Sequence, residues 1–522
     1  MNVPRLPVSL FLALVLLVCG LMLALAAAAD AVTPQISAGG SETCVLLSDG
    51  SAKCFGRNYY GELGNATNNG TNNPNPTPTD VPLGGPATQI DTGGSDTCAV
   101  LAGGTAKCFG NNFFGELGIS ANLGTSNANP NPSAVSLGAP AVATASAVYH
   151  TCAVLAGGFV KCFGINYSGQ LGNATNNGSS APNPPTTVAL PTAAQVDPGQ
   201  DHTCALLDNG AVMCFGQNFY GQLANSTGVG TFNVYPTPVA VSLGVPATQI
   251  AAATFHTCAL LINGTVKCWG SNFYGQLGSA VPDPTPTPTT VALGRSAVQI
   301  STSDLFTCAL LDDGTVKCFG DNYVGELGSA PNFGMYNPNS TPTATESLGA
   351  PAVQISAGGD HTCAILSDGT IKCWGDNTFG QLGSSLVGGY LPLTVPGLNV
   401  NVNAIAPPPG PSKTAVHFGR LKLKVKRSGR KLRVTAKLNL TGDSGAVPKS
   451  SCNGKLAVTA SLRKKRVARK SFAVKSASRG TCQSKLSFLL AAKLKHKKVK
   501  FALALGPAAG VSAPAKTFTV KL

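Results

Sequence analysis

The feature that most constrains this chain is a pair of cysteines separated by nine residues and written seven times. Cys44 goes with Cys54, Cys98 with Cys108, Cys152 with Cys162, Cys204 with Cys214, Cys258 with Cys268, Cys308 with Cys318, and Cys363 with Cys373. Between the members of each pair lie an apolar run, a tight turn such as Ser367-Asp368-Gly369, and a second run such as Thr370-Ile371-Lys372. A three-residue loop with its glycine in the left-handed conformation sets Leu366 against Thr370, Ile365 against Ile371, Ala364 against Lys372 and Cys363 against Cys373. Directly opposed cysteines share one face, and here they fall on a non-hydrogen-bonded pair, where antiparallel strands approach most closely. That proximity suits a disulfide. A two-residue turn would point the two sulfurs to opposite faces. The alternatives are reduced, buried cysteine and metal thiolates. Zinc sites use shorter spacings and gather four ligands, which one pair per repeat does not do. Each bond closes a short loop and adds about 2–3 kcal/mol by the chain-entropy argument.

Aligned on the cysteines, the repeat has a period of 50–55 residues, the signature of an array and most simply of a propeller. Every copy follows its second cysteine with Gly-x-Asn: Gly56 and Asn58, Gly110 and Asn112, Gly164 and Asn166, Gly216 and Asn218, Gly270 and Asn272, Gly320 and Asn322, Gly375 and Asn377. A Gly-Glu/Gln-Leu follows, then an Asn/Thr/Pro-rich stretch such as "NATNNGTNNPNPTPTDVPLGGP", which reads as a loop, then an opening strand such as "TQI" or "VQI". Only 11% of residues are charged, while 61 glycines and 36 prolines suit short strands and turns rather than helices.

Two segments, "ISAGGDHTCAIL" and "CWGDNTFGQLG", carry a resemblance to the repeat of the regulator of chromosome condensation family, and it extends over roughly residues 33–406. The resemblance implies an all-β chain with a seven-bladed β-propeller of four-stranded blades. Either Asn403-Ala404-Ile405 or the stretch Val395–Val400 is expected to return to the first blade and close the ring, leaving few open strand edges. The family's histidine stands at His150, His202, His256 and His361, but Glu42, Asp96 and Phe306 replace it elsewhere. Spread over successive blades, these histidines read as supports of the repeat rather than a metal ring, and no metal or cofactor is expected. The family's best-known activity is nucleotide exchange on a nuclear GTPase, a partner that an exported, disulfide-bearing chain would not meet. Secreted bacterial propellers of this class include an inhibitor that binds β-lactamases through one end.

The segment 1–31 has one basic residue, Arg5, a long apolar run and small residues around Ala29-Asp30-Ala31. It reads as a secretion signal cleaved before Val32, with an uncleaved membrane anchor as the alternative. Val18 ahead of Cys19 argues against a lipoprotein. The net charge of +15 divides unequally, with nine basic and 21 acidic residues through residue 410, then 28 basic residues and only Asp443 beyond it. After a Pro-rich linker, 407–414, the segment "GRLKLKVKRSGRKLRVTAKLNL" alternates apolar and basic residues with period two. Residues 415–522 resemble a small immunoglobulin-like β-sandwich, with Cys452 and Cys482 placed to staple it. Anionic cell-envelope polymer suits its charge; nucleic acid does not suit an exported chain with so few aromatic residues in this segment.

No phosphate-binding glycine loop, His-Glu-x-x-His or Gly-x-Ser-x-Gly is present, and Glu62, Glu116 and Glu326 give way to Gln170, Gln222, Gln276 and Gln381 in the other copies. A carboxylate that glutamine can replace pins a turn rather than carries acid–base chemistry, so the chain does not read as an enzyme. The loop after Gly-x-Asn is more informative. Its first residue is Tyr59, Phe113, Tyr167, Phe219, Phe273 or Tyr323, broken only by Thr378; its second is Tyr60, Phe114, Tyr220, Tyr274 or Phe379. The second set is expected to pack within its blade. The first set either packs between blades or points outward, and in the second case six rings line one end, suited to a protein or glycan partner. The chain thus reads as a secreted or cell-surface, non-catalytic binding protein, with an enzyme inhibitor and an extracellular enzyme as alternatives. Peptide mapping of the exported, unreduced protein is expected to recover the bond from Cys44 to Cys54, and its six counterparts, as linkages within single repeats. Linkages between repeats, or free thiols throughout, overturn the hairpin argument.

Overall fold

In the computed structural model, residues 32–402 are described in full, and beyond them the backbone of strands from Thr414 to Lys521. The seven repeats each form a four-stranded antiparallel sheet whose strands lie in sequence order. Blade 1 is Gln35–Ala38, Glu42–Leu46, Ala52–Gly56 and Asn75–Asp80. Blade 7 is Ala352–Ala357, His361–Leu366, Thr370–Gly375 and Gly389–Asn399. The hairpin register is the one the cysteine spacing demands, with Cys363 opposite Cys373 and Ile365 opposite Ile371. Gly369 has a φ of +86°, and its N–H donates to the Leu366 carbonyl at 2.9 Å.

Every expected pair within the propeller is joined in its own hairpin. Cys44 bonds to Cys54, Cys98 to Cys108, Cys152 to Cys162 and Cys204 to Cys214. Cys258 bonds to Cys268, Cys308 to Cys318 and Cys363 to Cys373. In all seven the Cα atoms stand 4.1 Å apart and the sulfurs lie at bonding distance.

The disulfides lie between blades as well as within them. Cys44 and Cys54 share a buried cluster with Phe109 of the next blade, Cys98 and Cys108 one with Phe163, and Cys204 and Cys214 one with Trp269. The aromatic residue after each second cysteine therefore seats on the preceding blade's sulfurs. Full burial of such a ring contributes roughly 1.5–3 kcal/mol. Nearer the axis, glutamines tie neighbours together. Gln195 accepts the Ile250 N–H at 3.0 Å and donates to the Ile250 carbonyl at 2.8 Å. Gln249 and Gln299 do the same to Ile300 and Ile355. Blade 3 carries Ala143 at this position and lacks the clamp.

Two expectations need correction. The Asn/Thr/Pro-rich stretches are not loops throughout, because their second halves form the outermost strands, such as Asn75–Asp80 and Thr285–Thr290. Proline cannot donate to a ladder, but an outer strand has a neighbour on one side only and tolerates it. Nor does the stretch 395–400 return to blade 1. It belongs to the outer strand of blade 7, where Leu393 faces Cys373 and Asn399 faces Thr370. Blade 1 already draws all four strands from residues 35–80, so no place is left for a fifth.

Closure comes instead from the contacts that join other blades. Ile36 N–H donates to Gln354 Oε1 at 2.8 Å, Ala38 N–H to Ser356 Oγ at 2.9 Å, and Gly359 N–H to the Gly39 carbonyl at 2.9 Å. Ile36, Val45 and Phe55 pack on Ile365, Ile371, Leu382 and Val395.

In the basic tail, the described strands form a five-stranded and a four-stranded sheet. The expected bond between Cys452 and Cys482, the segment 1–31 and Asn403-Ala404-Ile405 lie outside the described residues. Among the described residues, no helix is long and apolar enough to cross a membrane.

Prolines on the outer strands keep their edges from recruiting other chains. Replacing Pro78, Pro132 and Pro288 together with valine is expected to raise concentration-dependent association, measured by light scattering, while the thermal melt of the dilute protein moves little.

Candidate binding face

The Gly-x-Asn motif builds one end of the propeller. Gly56 has a φ of +115°, and a Cβ there would lie 2.5 Å from the Ser41 carbonyl oxygen, so only glycine lets the third strand pass the second. Asn58 is fully buried; its Oδ1 accepts the Leu63 N–H at 3.0 Å and its Nδ2 donates to the Asn65 and Thr67 carbonyls at 2.9 and 2.7 Å. Asn377 repeats this with Leu382, Ser384 and Leu386. The residue between Gly and Leu pins the turn through one oxygen. Glu62 Oε2 accepts the Tyr60 N–H at 2.6 Å, and Gln222 Oε1 accepts the Tyr220 N–H at 2.8 Å. Because only an oxygen is used, glutamate and glutamine are interchangeable in this role.

Beneath that end lie the four buried histidines, each tied to the next blade. His150, His202, His256 and His361 place Nε2 at 2.6–2.8 Å from Oγ1 of Thr203, Thr257, Thr307 and Thr43. Each threonine hydroxyl donates to a Glu/Gln backbone carbonyl, as Thr43 does to Gln381 at 2.9 Å and Thr203 to Gln170 at 2.8 Å. Its proton is thereby spent, so the histidine is the donor through Nε2–H, and Nδ1 is left bare and without a partner. Burial pushes the imidazoles of His150, His202 and His256 down to about 3 and that of His361 to about 4. These histidines are neutral joints between blades.

The residue types at the two positions change together. Blades with His at the first carry Gln at the second; blades with Glu42, Asp96 or Phe306 carry Glu62, Glu116 or Glu326. Burial, followed by the charge of Glu62, holds the Glu42 carboxyl well above its ordinary value; burial and then Glu116 and Asp91 do so for Asp96. Burial lifts Glu116 to about 7 and Glu326 to about 8. Neighbouring carboxyls of this kind resist ionising together.

On the surface of this end, the first-position rings stand outward. Phe113, Tyr167, Phe273 and Tyr323 are exposed, Phe273 by 67%, while Tyr59 and Phe219 are half-buried. Phe219 stacks on Phe232 at 4.7 Å, and Arg57 covers Tyr59 at 5.3 Å. Where both positions are aromatic, the first ring meets the second edge-on, as Tyr59 meets Tyr60 and Phe273 meets Tyr274. Besides this contact within the blade, two rings of the second set also bridge to the next one. Phe114 reaches Tyr149 at 5.0 Å and Tyr220 reaches Phe255 at 5.2 Å, both on the tip of the following blade, because the turn points the side chain along the ring.

The collar is interrupted at blade 7. Thr378 replaces the ring there, and only six residues separate Gly383 from Tyr390. The gap is a cleft of about 550 Å³ lined by Pro76, Tyr323, Phe333, Asp376, Leu386 and Val387, among others. The repeat alignment signalled it only through the Thr378 exception; Phe333, Leu386 and Val387 lie outside any repeated motif.

Comparisons with known proteins agree with this architecture. The regulator of chromosome condensation (RCC1) repeat matches residues 35–62, 194–222, 247–276, 297–326 and 352–381 in one description, and 209–260, 263–310 and 313–365 in another. The ultraviolet-B receptor of Arabidopsis thaliana is 29% identical over 366 residues, covering 68% of this chain and 69% of the receptor. A probable E3 ubiquitin-protein ligase of Rattus norvegicus, HERC4, is 30% identical over 193 residues, which is 37% of this chain but only 18% of the ligase. Among solved structures, Prp20p of Saccharomyces cerevisiae has a TM-score of 0.56 at 19% identity, covering 70% of this chain and 87% of that one. Human WBSCR16 has 0.54 at 22%, covering 63% and 87%. At these identities the likeness establishes the fold.

The buried groups set opposing pH dependences. The histidines titrate lower folded than unfolded, so the stability they contribute is complete above about pH 6.5 and is lost as pH falls towards about 3. Glu116 and Glu326 titrate higher folded than unfolded, so their contribution is present below the ordinary 4.5 and is lost as pH rises through about 7–8. Glu116→Gln and Glu326→Gln, which copy the other blades, are therefore expected to raise stability at pH 8 by roughly 1–3 kcal/mol each and to change it little at pH 4.5, read from urea unfolding at the two pH values.

Proposed function

We propose that this propeller of regulator of chromosome condensation repeats is an extracytoplasmic binding module that presents its ring-bearing end to a protein or glycan partner and carries out no chemistry of its own. The observation behind this reading is the collar of Tyr59, Phe113, Tyr167, Phe219, Phe273 and Tyr323, with exposed aromatic residues where a solvated loop needs none. Large rigid rings carry much contact area at low entropic cost and dominate binding energies at interfaces. The blade scaffold beneath holds them in place, so little ordering remains to oppose association. Seven cysteine pairs at bonding distance favour an oxidising compartment, consistent with a signal in residues 1–31. Prp20p, whose structure was described together with binding to Gsp1p and histones, is a binding protein of the same fold. The carboxyls at this end argue against an enzyme: glutamine replaces them in other blades, and their spare atoms are buried. The basic tail, 28 cations with one carboxylate, suits an anionic envelope polymer.

An inhibitor of a secreted enzyme is the narrower form of the same reading. To test the broader one, the exported protein is used as bait in culture fluid and envelope extract beside a variant carrying Tyr59→Ala, Phe219→Ala and Phe273→Ala. The variant is expected to keep its melting temperature within a few degrees and to lose at least tenfold in affinity for the captured partner. Undiminished capture by the variant overturns the assignment of the collar.

A further inference from the structure

The interruption at blade 7 has a chemistry different from the rest of the collar. Its walls are largely apolar. Of the lining residues, Tyr323 stacks in parallel on neighbouring Tyr336 at 4.2 Å with an interplanar angle of 9°, Phe333 meets neighbouring Tyr390 edge-on at 5.2 Å, and Leu386 and Val387 are exposed, Val387 by 92%. Its mouth is acidic. Asp376 lines the cleft, and its backbone N–H donates to the Asp360 carbonyl at 2.9 Å. Beside it, the Asp360 side chain stands exposed, yet partial desolvation and then the charges of Asp304, Asp376 and Asp321 hold its carboxyl above the ordinary range.

None of these four carboxylates has a basic partner among the described residues. Asp376 accepts from Thr378 and Gln381, Asp321 from the Asn322 N–H, and Asp304 from Thr254. The ion pairs among the described residues join Lys53 to Asp80 and Arg295 to Asp312 and Asp313. Lys107, Lys267, Lys317 and Lys372 spend their amines on the carbonyls of Leu83, Leu243, Leu293 and Ser347. Arg57 lies over Tyr59, Tyr60 and Phe379.

Building on the reading of this end as a binding face, we propose that the blade 7 cleft receives an extended, lysine- or arginine-bearing segment of a partner protein. The stem of the basic side chain lies along Tyr323, Tyr336, Leu386 and Val387, and its charge meets Asp360 and Asp376. Long basic side chains bury their methylenes on apolar surface while keeping the head group solvated, and an aromatic face attracts that head group. A neutral glycan would use the stacked tyrosines but gain nothing from the carboxylates of Asp376 and Asp360 beside them. A second copy of this propeller would bring the same acidic mouth against itself.

The probe is a short fluorescent peptide alternating lysine and leucine, titrated into the full exported chain by anisotropy, beside its glutamate counterpart and cellohexaose. Binding of the lysine peptide alone is expected, weakening with salt. Asp360→Asn is expected to cost about threefold, and Asp360→Asn with Tyr336→Ala about tenfold, with the melting temperature retained. Asp201→Asn, a carboxylate on the same end at blade 4, and Phe159→Ala, an exposed ring on the hairpin turn of blade 3, are expected to change the affinity less than twofold. The peptide titration tests the cleft alone, whereas the collar reading fails or stands on the capture experiment. The proposal is overturned if the glutamate peptide or cellohexaose binds as well as the lysine peptide. It is also overturned if the cleft variants bind unchanged, or if Tyr336→Ala abolishes a dimer seen by light scattering and peptide binding is absent.

Discussion

The contact on which the rest of the propeller depends is an aromatic ring resting on a disulfide. In each blade the cystine sits on the face turned to its successor, and the Phe or Trp that follows the successor's own second cysteine covers it. Phe109 covers the bond between Cys44 and Cys54, Phe319 that between Cys258 and Cys268, and Phe55 that between Cys363 and Cys373. One residue type thus closes a hairpin covalently and supplies apolar surface to the next interface. A four-stranded sheet with short strands and few charges has little else to hold it rigid. With the hairpin fixed, the Gly-x-Asn turn can hang from it, and the outward rings can hang from that turn.

A second layer of joints lies between that core and the surface. Histidine, threonine and a backbone carbonyl form a relay from one blade to the next, with the proton position at each step set by the threonine. In blades 1 and 2, where the relay lacks histidine, a carboxyl stands in its place, and burial followed by the charge of the neighbouring glutamate raises its titration.

Much of this was legible in the sequence because the constraint was local and repeated. Nine residues between cysteines, with a glycine near the centre, leave one hairpin register, and that register is present in every blade. The outer strands were not legible, because Pro76 and Pro78 carry a loop-like composition and become strand only through having a single neighbour. The seam misleads for a related reason: a stretch such as 395–400 pairs wherever a free edge remains, and sequence alone does not say which edge is free. The collar's first ring was visible from spacing. The direction of the second ring was not, since it depends on where the tip of the next blade lies. The cleft was signalled only by the Thr378 exception, because Phe333, Leu386 and Val387 lie outside the repeated motif.

Because blade 7 is assembled from one continuous stretch and meets blade 1 through the same contacts that join neighbours in sequence, the junction between them is chemically equivalent to the others. Propellers that share a sheet between their two termini have a privileged first and last blade. This one has none: any connector between blades is an equally good place to begin or end, and circular permutation leaves every sheet whole. Against that background the gap in the aromatic collar at blade 7 gives an otherwise rotation-like object a front.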